Sequence, residues 1–417
     1  MVKIINVQGR QVFDSRGNPT VEAEIYLENN ISCRAICPSG ASTGAFEAFE
    51  LRDNNKEFLG KSVLKAVDNI NTKIKKSLLG KDPNEQTNID KLLRELDGTK
   101  NKKNLGANSI LPVSLAASKV SALLNKKSLF KNFGNNYSLP VPLMNIINGG
   151  AHADNDLKIQ EFMIRPDSAL NFMDAIEKCF LVIQSLKKLL KSKKMLTNVG
   201  DEGGFAPLIN SNEEALDLVL QAIKASNLRA GVDISICLDV AANELINNKG
   251  QYSIQSNNFY KVDEVIDYYK KIISNFPIKS IEDPFAEEDW NAWKKITSEI
   301  GNTIQIVGDD LFVTNEERLK KGIKEKSANS ILVKLNQIGT LSETLEVINL
   351  AKKNNFNTVI SHRSGDTEDT FIADLSVGTE SSQIKTGSLA RSERVAKYNR
   401  LIRIEEELGN QVKMARI

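Results

Sequence analysis

The sequence predicts an α/β protein in which an α+β N-terminal domain precedes an α/β barrel. The chain has 417 residues, a length that favours two domains. Six short apolar runs in its last two thirds each end in polar or charged residues, and helix-like sequence separates them. The stretch FKNFGNNYSLPVPLMN is rich in Gly, Asn and Pro, which predicts a boundary between domains of residues 1–138 and 139–417.

The first third of the chain alternates between strand and helix patterns. Strands are predicted over VEAEIYLEN and ISCRAICP, and a helix over KSVLKAVDNINTKIKKSLLG, which a glycine ends. A second helix is predicted over NSILPVSLAASKVSALLNKK, where Pro112 is tolerable if it lies in the first turn. This mixture of strands and helices is typical of an α+β domain.

The apolar runs of the second part are ISICLDV, IKSIEDP, IQIVGDD, SILVKLN, TVISHRS and QIKTGS. From the second run onward their starts lie roughly 25 to 28 residues apart, enough for a strand, a helix and two turns. Such βα units form either an open sheet or a closed barrel. The sequence has no GxGxxG turn, and residues 144–204 have room for two more strands, so we favour the barrel. Its active site would lie where the strands end.

Composition argues against several classes of function. Lys and Arg number 55 and Asp and Glu 53, so bulk binding of nucleic acid is not expected. The N-terminus lacks the apolar core of a signal peptide, and no later stretch is expected to be long enough for a membrane span. The scattered cysteines form no CxxC pair and are expected to be reduced. A cytoplasmic protein without membrane or nucleic-acid partners is therefore expected.

Three acidic residues, Asp239, Glu282 and Asp309, end successive predicted strands. Carboxylates that converge on one rim repel each other unless a cation neutralises them, and oxygen ligands favour Mg²⁺ over zinc. For any one of the three, helix N-capping is an equally good interpretation, because Asp is common between a strand and a helix. Their equivalent positions favour the metal site.

Cationic residues end the following strands, namely Lys334, then His362 and Arg363, then Lys385. An ammonium directly after the apolar run SILV is unusual unless the strand is an edge strand or its end reaches water. A rim that is acidic on one side and basic on the other suits a small anionic substrate bridged to a metal. In SHRSGD, Ser364 and the following glycine before a predicted helix suggest a phosphate site, although Ser-Gly-Asp is also a common capped turn.

The remaining candidates lie in or beside polar loops. His152 lies in NGGAHADND, where Gly149 and Gly150 could act as a hinge, although a single histidine is more often structural. Glu161 follows an alternating strand pattern. Glu202, in VGDEGGFAP, is either an exposed turn residue or a carboxyl group that substrate approaches because side chains are missing around it.

These segments together resemble the enolase family. DSRGNPTVEAE, PSGASTGAFEAFELRD, MNIINGG, QEFMI, VGDEGGFAP, SIEDPFAEEDW, VGDDLFVTN, ILVKLNQIGT, SHRSGDTED, QIKTGS and RIEEELG occur in family order along nearly the whole chain. The resemblance implies a capping domain with a mobile loop and an enolase-type TIM-like barrel. It also implies reversible dehydration of 2-phosphoglycerate to phosphoenolpyruvate in glycolysis and gluconeogenesis.

The resemblance further implies a role for each candidate. Lys334 matches the general base and Glu202 the general acid, with Glu161 beside it and His152 on a closing loop. Substrate contacts are implied for His152, Gln160, Glu161, Lys334, His362, Arg363, Ser364, Lys385 and Ser42. The ligands implied for a first Mg²⁺ are Asp239, Glu282 and Asp309, and Ser42 matches the ligand of a second Mg²⁺ that arrives with substrate. The two ions would stabilise an aci-carboxylate intermediate.

The same resemblance bears on assembly and on departures from the family. Glu22 and Arg403 match positions that pair between subunits, which implies a homodimer or a larger assembly such as an octamer. Pro112 stands where the family usually has glycine, and Asn243 where it usually has serine. Both affect local geometry rather than chemistry.

Three alternatives remain open on the sequence. A related enzyme acting on a non-phosphorylated acid would not need PSGAST or SHRSGD. A Schiff-base aldolase with Lys334 as nucleophile leaves the carboxylates unexplained. A non-catalytic protein with the same fold is expected to have lost at least one of these residues.

Overall fold

The computed structural model of the protein describes residues 2–41, 43–255, 258–409 and 412–417. The chain begins with a three-stranded antiparallel sheet in the order β1-β2-β3, formed by β1 (Ile4–Phe13), β2 (Pro19–Leu27) and β3 (Ser32–Ile36). The helices that follow are α1 (Leu64–Asn69), a π-helical turn (Ile70–Ile74), α2 (Lys75–Leu78), α3 (Gln86–Asp97) and α4 (Ala107–Leu124). Single 3₁₀ turns cover Glu57–Gly60 and Leu129–Asn132. The predicted strands and helices of this part are confirmed, and β1 is an additional strand.

The helix α4 corrects two expectations. By length and composition it could span a membrane, contrary to the expectation that no stretch would. However, 83% of it is buried, because it packs against β2, β3 and α3, and its apolar composition is that of a core helix. Pro112 lies inside this helix rather than in its first turn, so the helix lacks the backbone bond that the proline nitrogen would have donated.

The second part of the chain is a closed barrel of eight strands. In chain order they are β5 (Val141–Asn148), β6 (Glu161–Arg165), β7 (Ser235–Asp239), β8 (Ile278–Glu282), β9 (Gln305–Gly308), β10 (Ser330–Val333), β11 (Asn357–Ser361) and β12 (Gln383–Lys385). All six predicted runs form strands, and the segment before them supplies the other two, which confirms the barrel. A separate pair of short strands, β4 (Ser138–Leu139) and β13 (Lys413–Met414), runs in parallel.

One strand breaks the regular pattern of parallel βα units. The strand β6 is antiparallel to both of its neighbours, β5 and β7, whereas the other neighbouring pairs of the barrel are parallel. Two helices, α5 (Phe172–Ser192) and α6 (Asn212–Ala225), connect β6 to β7 and pack against each other. An even number of helices returns the chain to the end of the barrel where β6 finished.

The other helices connect the parallel strands on the outside of the barrel, except the last one, which follows β12. They are α7 (Val262–Asn275), α8 (Trp290–Ile300), α9 (Glu316–Glu325), α10 (Leu335–Ile338), α11 (Leu341–Lys353), α12 (Phe371–Gly378) and α13 (Ser392–Leu408), with 3₁₀ turns over Gly150–His152 and Ala242–Glu244. A buried apolar layer fills the barrel interior, namely Leu143, Met163, Cys237, Val307, Leu332 and Val359. Because the interior is packed, a ligand can enter only at the mouth.

Candidate active site

The barrel mouth where the parallel strands end contains a polar cavity. Its walls are His152, Gln160, Glu161, Glu202, Asp239, Ala241, Asp283, Asp309, Asp310, Lys334, Ser361, His362, Arg363, Ser364 and Lys385. Of the predicted site residues, Glu282 lies next to this wall, bonded to Lys385, and Ser42 lies outside the described residues. The structure therefore brings the other predicted residues together around one cavity.

The reversed direction of β6 brings Glu161 to this mouth. Glu161 is the first residue of β6 and lies opposite Asp239, the last residue of β7. Asp239 is in turn in register with Glu282, the last residue of β8. Since β6 runs against its neighbours, its start and their ends meet at the same rim, and the three carboxylates lie side by side.

The ammonium of Lys385 lies among these three carboxylates. Its Nζ is 2.8 Å from Asp239 Oδ2, 2.8 Å from Glu282 Oε1 and 3.2 Å from Glu161 Oε1. Burial lowers the pKa of Lys385, but the charges of Asp239 and Glu161 outweigh it and raise the pKa well above its usual value. Lys385 is therefore a fixed cation that offsets part of the negative charge.

A second, part-buried ion pair joins Lys334 to Asp309. Lys334 Nζ donates to Asp309 Oδ2, and Gln337 Nε2 donates to Asp309 Oδ1 at 2.8 Å. Burial lowers the pKa of Lys334, but the charge of Asp309 outweighs it, so the pKa lies above its usual value. The ion pair explains why an ammonium is tolerated directly after a buried strand, which the sequence alone left open.

Helix N-capping does not account for the three carboxylates. The helices that follow β8 and β9 are capped by Asp289 and Asn315, whose side chains accept bonds from backbone N–H groups of α8 and α9. The backbone contact of Asp239 is with the nitrogen of Ala241, at 3.1 Å within a turn. The capping interpretation of Asp239, Glu282 and Asp309 is therefore wrong.

Two further carboxylates of the cavity were not predicted. The two oxygens of Asp283 accept backbone N–H bonds from Asp309 and Asp310, both at 2.9 Å, so Asp283 fixes the turn that carries Asp309. Asp310 Oδ2 accepts from Asn243 Nδ2 at 2.8 Å. Burial and the charge of Asp309 raise the pKa of Asp310 to about 7. The doubled acids in SIEDP and VGDD were the only sequence signal for these two residues.

A second group of side chains surrounds Glu202. Its Oε1 lies 3.2 Å from His362 Nε2 and 3.8 Å from His152 Nδ1, and its Oε2 accepts from Asn145 Nδ2 at 3.2 Å. Burial raises the pKa of Glu202, but its histidine contacts outweigh this and hold it well below the usual value. Burial and the charge of Glu202 raise the pKa of Glu161 well above the usual value. When Glu161 and Glu202 together carry one proton, that proton is therefore on Glu161.

The glycines after Glu202 are required by close packing. Gly203 has a φ of +85°, and a Cβ on it would lie 2.7 Å from the carbonyl oxygen of Ala390. A Cβ on Gly204 would lie 2.4 Å from Asn148 Oδ1. Because Glu202 is only 3% exposed, the interpretation of this segment as an exposed turn is wrong.

The SHRSGD loop forms the remaining wall and contacts the N-terminal part of the chain. Arg363 Nη1 donates to Glu47 Oε2 at 2.8 Å, and Ser364 Oγ accepts from the backbone nitrogen of Ala41 at 2.7 Å. The segment that precedes Ser42 is thereby held against this loop. The helix predicted after this loop is α12, which begins at Phe371.

Acidic side chains outnumber cationic ones around the cavity. Among the residues that the structure describes, six carboxylates and three cationic side chains line it, an excess of three negative charges if all were ionised. They are Glu161, Glu202, Asp239, Asp283, Asp309 and Asp310, and Lys334, Arg363 and Lys385. Within the described residues, two groups bring three potential metal ligands within 4.8 Å of one another: His152, Glu161 and Glu202, and Asp283, Asp309 and Asp310. The predicted triad is not one of these groups, and Lys385 and Lys334 lie against its carboxylates.

Comparisons with known proteins agree with this architecture. The N-terminal domain of enolase matches residues 4–133, and the enolase C-terminal TIM barrel domain matches residues 136–416. A protein named enolase from Pelagibacter ubique (strain HTCC1062) is 63% identical over 420 residues, covering the whole of both chains. The chain therefore belongs to the enolase family, the phosphopyruvate hydratases, which are lyases.

Proposed function

We propose that the chain catalyses the reversible dehydration of 2-phosphoglycerate to phosphoenolpyruvate and water in glycolysis and gluconeogenesis. The observation that carries the proposal is one buried cavity in which carboxylates, two lysines and the pair Glu161 and Glu202 lie together. This combination suits removal of a weakly acidic proton next to a carboxylate and loss of a hydroxyl group from the neighbouring carbon. Membership of the enolase family supports the same reaction.

The proposed ligands of a first Mg²⁺ are Asp239, Glu282 and Asp309. Their oxygen-only donor set and the excess negative charge of the cavity fit a hard divalent cation. When bound, the two Mg²⁺ ions would neutralise the charge that develops on the substrate carboxylate in the aci-carboxylate intermediate. Ser42, outside the described residues, is the proposed ligand of the second ion, which arrives with substrate.

Lys334 is the proposed general base, which takes the proton from C2 of the substrate. A lysine must be neutral to do so, and the Asp309 carboxylate opposes this by raising its pKa. The charges of Arg363 and Lys385 have the opposite effect on Lys334. Weakening the contact between Asp309 and Lys334 would therefore favour the neutral amine.

Glu202 is the proposed general acid, with Glu161 beside it. Because the pKa of Glu161 lies above and that of Glu202 below the usual value, the two buried acids resist ionising together. When substrate binds, the proton of this pair of acids is proposed to be transferred to the departing hydroxyl group. His152, 3.7 Å from Glu161 and 3.8 Å from Glu202, is proposed to close over both.

The remaining substrate contacts are proposed from the resemblance to the enolase family. Arg363, Ser364 and His362 are proposed to bind the phosphate, and Lys385 the carboxylate. Gln160 also faces the cavity and is 5% exposed; its Oε1 has no hydrogen-bond partner among the described residues, which supports a contact with substrate.

The activity is tested by adding 2-phosphoglycerate and Mg²⁺ to the folded protein and following the ultraviolet absorbance of the new enol double bond. The absorbance should rise, and it should not rise with glycerate, which lacks the phosphate, or with 3-phosphoglycerate, which lacks a leaving hydroxyl at C3. A flat trace with 2-phosphoglycerate would overturn the proposal. A faster reaction with glycerate would favour a relative acting on non-phosphorylated acids.

We also propose a cytoplasmic homodimer or a larger assembly of dimers such as an octamer, with a domain boundary at residues 138 and 139. Arg403 is exposed, as a contact between subunits requires. Glu22 is buried and pairs within its own chain with Arg10 at 2.5 Å and Arg34 at 3.6 Å. A partner's arginine would therefore join an existing cluster of charges rather than meet a free carboxylate.

A further inference from the structure

We propose that Arg394 is a positioning residue that fixes the Nε2–H tautomer of His362 and ties the loop of His362 to the loop of Glu202. Arg394 lies in the first turn of α13, and its side chain is fully buried. It was not among the predicted site residues, and it does not line the cavity. The inference builds on the proposed function, but its central test needs no activity.

The guanidinium of Arg394 bonds to two loops at once. Its Nη1 donates to the carbonyl oxygen of Arg363 at 2.6 Å, and its Nη2 to that of Ser364 at 2.7 Å. Nη2 also donates to the carbonyl oxygen of Asp201 at 3.1 Å. One rigid, planar group therefore sets the distance between the SHRSGD loop and the residue preceding Glu202.

The same guanidinium determines which nitrogen of His362 carries the proton. Arg394 Nη1 lies 2.5 Å from His362 Nδ1, and an arginine side chain can only donate hydrogen bonds. Nδ1 must therefore accept, which places the ring proton of the neutral histidine on Nε2. His362 Nε2 lies 3.2 Å from Glu202 Oε1, so this tautomer places the ring proton on the nitrogen nearest that carboxylate. Burial, which lowers the pKa of His362 to about 4, keeps this ring neutral.

The segment that precedes α13 holds Glu202 from the backbone side. The backbone nitrogen of Ser388 donates to the carbonyl oxygen of Glu202 at 2.9 Å. Gly387 has a φ of +71°, and a Cβ on it would lie 2.5 Å from the same oxygen. Tyr398, one turn further along α13 than Arg394, donates its hydroxyl to the carbonyl oxygen of Gly387 at 2.6 Å. Arg394 thus acts where α13 already fixes the backbone of Glu202.

Two carboxylates lie near the guanidinium and offset its charge. Asp366 Oδ2 lies 3.7 Å from Arg394 Nη1, and Glu393 Oε1 lies 3.4 Å from its Nε. Lys397 Nζ donates to Asp366 Oδ1 at 3.1 Å, so Asp366 is shared between two cations of α13. This arrangement leaves the Nη1 edge of Arg394 facing His362 and the loop carbonyls.

The tautomer can be read directly, because His152 and His362 are the only histidines in the chain. Protein labelled with ¹⁵N-histidine should show, for His362, a protonated, pyrrole-type Nε2 and an unprotonated, pyridine-type Nδ1. A His152→Asn variant assigns the two sets of signals. A His362 that carries its proton on Nδ1 would overturn the proposal, whether or not the protein is active.

Two substitutions separate the roles of Arg394. In Arg394→Gln, whose amide can turn either its oxygen or its nitrogen towards His362, the signals should change to a mixture of tautomers. Arg394→Lys keeps a donor for Nδ1 but cannot reach three carbonyls; it should keep the tautomer and lower kcat by about 10–100-fold, the range for partners that orient a functional histidine. Unchanged His362 signals in Arg394→Gln would overturn the inference that Arg394 fixes the tautomer. An unchanged kcat in Arg394→Lys would overturn the inference that Arg394 ties the two loops together.

The matched control is Arg165→Lys. Arg165 is also buried and charge-paired, with Asp167 at 2.5 Å, but it ends β6 at the opposite end of the barrel. Its substitution should leave the His362 signals unchanged. If the glutamine variant of Arg394 fails to fold, the tautomer of the unsubstituted protein and the kcat of the lysine variant still decide between the outcomes.

Discussion

The ammonium of Lys334 is bonded directly to the carboxylate of Asp309. The two residues directly follow the neighbouring strands β10 and β9, and both lie at the barrel mouth. The pair links the proposed base to a proposed metal ligand, so the charge state of one depends on what the other binds.

Substituting Lys334→Ala should leave a folded protein that no longer removes the C2 proton. Exchange of this proton with deuterated solvent, measured by NMR, should fall about 10²–10⁴-fold, together with the formation of phosphoenolpyruvate. Lys320→Ala, which removes an exposed lysine, should exchange normally. Exchange near the unsubstituted rate in the Lys334 variant would mean that another group is the base.

Removal of divalent metal should abolish the activity, and added Mg²⁺ should restore it, because the excess negative charge of the cavity needs a cation. In Asp309→Asn, calorimetry should detect weaker Mg²⁺ binding, and Mg²⁺ should raise the thermal unfolding midpoint less than in the unsubstituted protein. Asp263→Asn, at an exposed pair with Lys295, is the matched control. Full activity after exhaustive chelation would contradict the metal assignment.

The acid can be distinguished from the base by comparing two rates in Glu202→Gln. This variant keeps Lys334, so C2 proton exchange should continue while dehydration falls about 10²–10⁴-fold. Glu161→Gln tests whether Glu161, rather than Glu202, donates the proton to the departing hydroxyl group. The test is needed because the pKa of Glu161 is raised and that of Glu202 is lowered. If Glu202→Gln lost exchange and dehydration equally, its assignment as the acid would be wrong.

The stability of the protein should depend on the titration of His362. Burial lowers its pKa from 6.5 to about 4, so between these values the unfolded chain binds a proton that the native protein does not. This contribution to stability is complete above about pH 6.5 and decreases as the pH falls to about 4, by a total of about 3 kcal/mol. The free energy of unfolding, measured in urea at several pH values, should depend less on pH in His362→Gln than in the unsubstituted protein. An identical pH dependence would contradict the lowered pKa of His362.

Light scattering at assay concentrations should give at least the mass of a dimer. Arg403→Glu should weaken the assembly, because it would bring a second carboxylate close to that of Glu22 across the proposed contact. Lys320→Glu changes an exposed charge elsewhere and serves as the control. A monomeric mass for the unsubstituted protein would contradict the proposed dimer.

Much of the fold was predictable because its signals are local. Apolar runs such as SILV and TVIS, separated by helix-length segments, identified six barrel strands, and each run carried its terminal charged residue with it. Lys334, Asp239 and Lys385 therefore reached the cavity as expected. The direction of β6 was not predictable, because a short apolar strand looks the same in either direction, and so the position of Glu161 beside Asp239 was not predictable either.

The sequence by itself determined the strands, the barrel, the family and the residue types at the mouth, because these depend on spacing and on side chains next to one another in the chain. Only the tertiary structure decided the partners: Lys385 among three carboxylates, Asp283 holding the turn of Asp309, and Arg394 on His362. Each of these contacts joins residues that are distant in sequence. Their geometry depends on strand register and direction, which arise only when the whole barrel closes and buries these charges together.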